Sequence, residues 1–74
     1  MGQKEEIISE IEIHLFLIQD ASQKAYELLD KYGEELLPFD YWFNLRFECK
    51  KTATKFEKIG QSFENNKINI LKLK

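Results

Sequence analysis

Counting from Ile8, apolar or small side chains return every three and then four residues: Ile8, Ile11, Leu15, Ile18, Ser22, Ala25, Leu29 and Tyr32. That spacing follows the helical turn and marks one long amphipathic helix whose stripe needs a second helix to cover it. A strand would alternate with period two and would not run through so many positions. The expected fold is all-α, a long antiparallel helical hairpin forming a single domain over residues 1–74.

The first helix is expected over about 4–32. Glu5 and Glu6 sit in its first turn, at the positive end of the helix dipole, and Lys31 lies in its last. Gly33 is placed to close the helix in a left-handed conformation. Pro38 disfavours a helical conformation at Leu37, so residues 34–39 read as a short link between antiparallel neighbours. Asp40 is a candidate N-cap for a second helix over about 40–60, with its own stripe of Trp42, Leu45, Cys49, Thr52 with Ala53, Phe56, Ile59 and Phe63. Gly60 either ends that helix or is tolerated inside it at about 1 kcal/mol. Residues 61–74 are expected as a short third element or a tail folding back. Ile68 and Ile70 alternate like a strand there, but a lone strand has no partner in this chain.

A chain of 74 residues is near the lower limit for folding alone, and such domains need dense packing, staples, metal or a partner. Cys49 is the only cysteine, so no internal disulfide forms, and one His with one Cys cannot supply a structural zinc set. No metal or other cofactor is expected. Ten aromatic residues make dense packing feasible, since each can bury about 150–250 Å². No leader pattern opens the sequence and no stretch approaches a membrane span, so a cytoplasmic, reducing location with no membrane partner is the expectation.

Two groups of hydrophobics fall off the stripes. Ile13, Phe16 and Leu17 lie opposite Leu15 on the first helix, and Phe43 and Phe47 lie off the Trp42 stripe on the second. A two-helix hairpin leaves both groups in water unless the link and tail cover them. They are therefore the candidate partner interface, for a second copy in a four-helix homodimer or for another helical protein.

Charge is divided unevenly along the chain. Residues 1–37 carry three lysines against nine acids, a net of −6, while residues 38–74 carry eight bases against four acids, a net of +4. Arg46, Lys50, Lys51, Lys55 and Lys58, interleaved with Phe43 and Phe47, suit a nucleic-acid backbone with base stacking. The same face also complements the acidic first helix, and the sequence pI of about 5.4 is below that of typical nucleic-acid domains. Catalytic signals are sparse. Glu10 and His14 share one side of the first helix, but His14 falls at the same heptad position as Ile7, Ala21 and Leu28, which suits a boundary residue. Cys49 lies on the second stripe as an inert thiol. Small side chains at Ser22 and Ala25 receive aromatic residues of the second helix rather than enclosing a ligand. The expected function is a small non-enzymatic module for protein–protein interaction or self-assembly. Nucleic-acid binding through the basic face is the alternative.

Overall fold

The structure, a computed structural model, describes the backbone of residues 2–72 and the side-chain environment of residues 3–69. Helix α1 runs Gly2–Leu28, widens into a π-helical turn at Leu29–Gly33, and resumes for one turn at Glu34–Leu36. Helix α2 runs unbroken over Phe39–Lys72. The two lie side by side as an antiparallel hairpin with extents of 53 × 17 × 14 Å. The all-α hairpin read from the sequence is the architecture of the chain.

Three local features differ from the sequence expectation. Gly33 does not adopt a left-handed conformation: its φ of −63° and ψ of −33° are right-handed helical, and the backbone continues to Leu36. The reversal falls at Leu37, whose extended φ of −127° and ψ of 153° are what the following Pro38 requires. The Leu37 N–H still donates to the Gly33 carbonyl, and the Trp42 N–H donates to the Pro38 carbonyl, so helix exit and entry share this two-residue corner. Asp40 therefore lies inside the first turn of α2, where its carboxylate faces the dipole's positive end.

Gly33 serves a different purpose. A β-carbon there would run into the Trp42 indole, and Trp42 is buried with its ring nitrogen donating to the Leu29 carbonyl at 2.6 Å. The π-helical turn thus presents a backbone acceptor to the indole, and the glycine makes room for the ring.

The third difference is the tail. Residues 61–72 do not form a third element or fold back; they extend α2 as helix, and Leu73 and Lys74 lie outside the described residues. Gly60 is tolerated mid-helix. Phe63 and Lys67, both half-buried, carry the inner face of α2 onward at helical spacing.

The core is thin. Among the described hydrophobic residues only Ile8, Trp42 and Ala53 are buried. The inner face of α1 also departs from the apolar stripe. Ile8, Leu15, Ser22 and Leu29 face α2 as expected, but their companions are Glu12, Gln19, Tyr26 and Gly33, all half-buried or buried. The apolar companions of the sequence stripe, Ile11, Ile18 and Tyr32, are exposed, and Ala25 is half-buried beside them. Both sets satisfy a three–four spacing, one on each flank of the central row. The polar flank turns inward beside partners on α2: Arg46 and Lys50 lie over the Tyr26 ring at 5.9 and 5.1 Å, and Lys67 pairs with Glu12 at 3.1 Å.

Candidate interaction surfaces

Arg46 anchors the turn end of the hairpin. Its guanidinium pairs with Asp30 and lies 4.9 Å from the Trp42 ring centre and 5.9 Å from those of Tyr26 and Phe43. Lys50 sits 5.1 Å over Tyr26, and Lys51 sits 5.6 Å over Phe47 while also reaching Glu48 at 3.7 Å. Three members of the basic face are thus engaged with rings and carboxylates of the hairpin itself, Arg46 and Lys50 across to the acidic helix and Lys51 within α2. Lys55 and Lys58 lie exposed farther along α2.

The five candidate interface residues are all on the surface. Ile13, Phe16 and Leu17 are exposed on the middle of α1, and Phe43 and Phe47 are exposed on the first turns of α2. They form two patches rather than one. The antiparallel register sets Phe47 level with Asp30, so Phe16 and Phe47 stand about 20 Å apart along the axis. Phe16 borders an open groove of about 310 Å³ with Leu15, Phe56 and Gly60, where the glycine leaves no side chain to close the space. Phe43 stacks on Phe39, with ring centres 5.9 Å apart and planes at 15°, and Phe39 in turn leans on Trp42. The link residue Leu36, at 76% exposed, does not cover this aromatic end.

A third surface escaped the sequence pattern because its members were divided between core and boundary. Ile7, Ile11, His14, Ile18, Ala21, Ala25, Leu28 and Tyr32 follow one another at spacings of four and three along a single side of α1. This row contains no Asp, Glu, Lys or Arg. All eight are exposed except Ala25, which is half-buried. Leu45, Thr52 and Ile59, half-buried on α2, border the same side of the hairpin. The signal that could have revealed it is the second complete heptad seam one step around the helix from Ile8 and Leu15.

At the open end, Lys67 joins Glu12 at 3.1 Å and Glu64 at 3.6 Å. A hydrogen bond shared with Glu64, together with the Lys67 ammonium, holds the Glu12 carboxyl below its ordinary range. Lys67 is correspondingly raised, first by its hydrogen bond to Glu12. His14 is exposed within the apolar row, and Cys49 is half-buried on the inner face of α2. Among the described residues no cluster of three His, Cys, Asp or Glu side chains could hold a metal ion, and no helix is long and apolar enough to cross a membrane. Comparison with protein-family models, with curated proteins and with solved structures finds no match to this chain.

Proposed function

We propose that this chain is a small non-enzymatic helical module for protein–protein interaction or self-assembly, working in a reducing, cytoplasmic setting that suits its lone thiol. One observation carries this function: large hydrophobic side chains are exposed along the whole hairpin while only three hydrophobic residues are buried among those described. Extended apolar surface on a small chain marks contact area. Light scattering over a concentration series tests it. Association predicts a mass that climbs from 8.9 kDa as concentration rises, without loss of helix content. A folded chain that stays at monomer mass throughout contradicts self-assembly. Nucleic-acid binding draws on Arg46, Lys50, Lys51, Lys55 and Lys58; the engagement of the first three with Asp30, Tyr26, Glu48 and Phe47 makes it the weaker choice.

A further inference from the structure

The hairpin exposes 6026 Å². A compact monomer of the same mass exposes about 4,800 Å², leaving an excess of about 1,200 Å². A standard protein–protein interface takes about 800 Å² from each partner. The uncharged side of α1 is a continuous surface for that purpose, spanning about 38 Å from Ile7 to Tyr32 at the helical rise.

From the sequence of large and small side chains along this row we infer that its occupant is a second copy of the chain, packed α1 against α1 in antiparallel sense about a two-fold axis between Ile18 and Ala21. This rests on the interaction function proposed above and specifies its face, partner and register. Reversing the row about that axis sets Ile18 on the second copy's Ala21 and His14 on its Ala25, a large side chain on a small one each time. Ile11 then meets Leu28, and Ile7 meets Tyr32, as apolar pairs. Because the axis makes each contact twice, the surface is self-complementary, as a closed dimer requires. A parallel pairing also closes about a two-fold axis, but there Ile18 meets Ile18, Ala21 meets Ala21, and the bulky and small layers no longer interlock. Glu6 and Glu10 border the row beside Ile7 and Ile11. Parallel helices stack these carboxylates on their own copies, whereas antiparallel ones move them against a half that holds Lys24 and Lys31 together with Glu27, Asp30, Glu34 and Glu35, so packing rather than charge sets the direction.

Cysteine cross-linking of the full chain reads this register directly. In a Cys49→Ser background, the double variant Ile11→Cys/Leu28→Cys is compared with the single Ile11→Cys under mild oxidation. Residues 11 and 28 are about 25 Å apart on one helix, so no bond closes within a chain. The antiparallel register predicts a covalent dimer from the double variant and none from the single. With native Cys49 retained, Ile18→Lys places an unpaired charge at the axis and moves the monomer–dimer midpoint by at least about tenfold in concentration, with helix content unchanged. Efficient cross-linking of the single variant overturns the antiparallel arrangement. An assembled chain that neither cross-links through 11 and 28 nor responds to Ile18→Lys overturns the face, while the interaction function stands. A chain that never exceeds monomer mass overturns this inference and self-assembly together.

Discussion

At the residue scale, two glycines in helical backbone have opposite roles. Gly33 is required because the Trp42 indole occupies the space where a β-carbon would go, and that indole is one of three buried hydrophobic groups among the described residues. Gly60 meets nothing within 4 Å of the same position. Gly33→Ala is therefore expected to destabilise by about 1–3 kcal/mol through overpacking. Gly60→Ala is expected to stabilise by about 1 kcal/mol through helix propensity alone. Thermal or urea unfolding of the two variants checks both signs. The Gly33 role was not legible in the sequence, where a glycine after a lysine-bearing last turn reads as a terminator. What decides it is a tryptophan nine residues later, a tertiary contact that local pattern does not carry. Gly60 was half legible: tolerance was one of two options, and Phe63 and Lys67 at helical spacing beyond it settle the matter.

At the element scale, α1 and α2 are joined by cross-helix pairs rather than by a deep core. The Glu12–Lys67 pair near the open end gives this a pH signature. Glu12 titrates lower in the folded chain than its ordinary 4.5, so its contribution is complete above that value and is lost as pH falls through the lower folded one. Lys67 titrates above its ordinary 10.5, so its contribution is complete below that value and is lost as pH rises through the raised one. Replacing the lysine, as in Lys67→Gln, should make the decline of melting temperature between about pH 5 and 3 shallower than in the parent. Both groups are near solvent, so the change is small. The same pairs explain which flank of α1 turned inward. Apolar character favoured Ile11, Ile18 and Tyr32 for the core, and the fold class followed correctly from that periodicity. The inner flank went instead to Glu12, Gln19 and Tyr26, where Arg46 and Lys50 meet Tyr26 and Lys67 meets Glu12. Periodicity fixes the existence of a stripe but not which of two adjacent stripes the opposing helix prefers.

At the scale of the whole molecule, a 53 Å hairpin with so little buried apolar surface is expected to gain stability from any partner that binds its folded faces. That Ile13, Phe16, Leu17, Phe43 and Phe47 fall off both stripes was legible in the sequence, which left open whether the link and tail cover them; all five are exposed. Their separation into two patches was not, since it depends on the antiparallel register. The row from Ile7 to Tyr32 was hidden because Ile11, Ile18, Ala25 and Tyr32 read as core and Ile7, His14, Ala21 and Leu28 as its boundary. The most direct measurement of the central claim, that this oversized apolar surface is contact surface, is the thermal unfolding midpoint followed over about two decades of protein concentration. If folding is completed by association, the midpoint of the parent chain rises with concentration while that of Ile18→Lys stays flat. A parent midpoint independent of concentration, equal to that of the variant, would contradict the account.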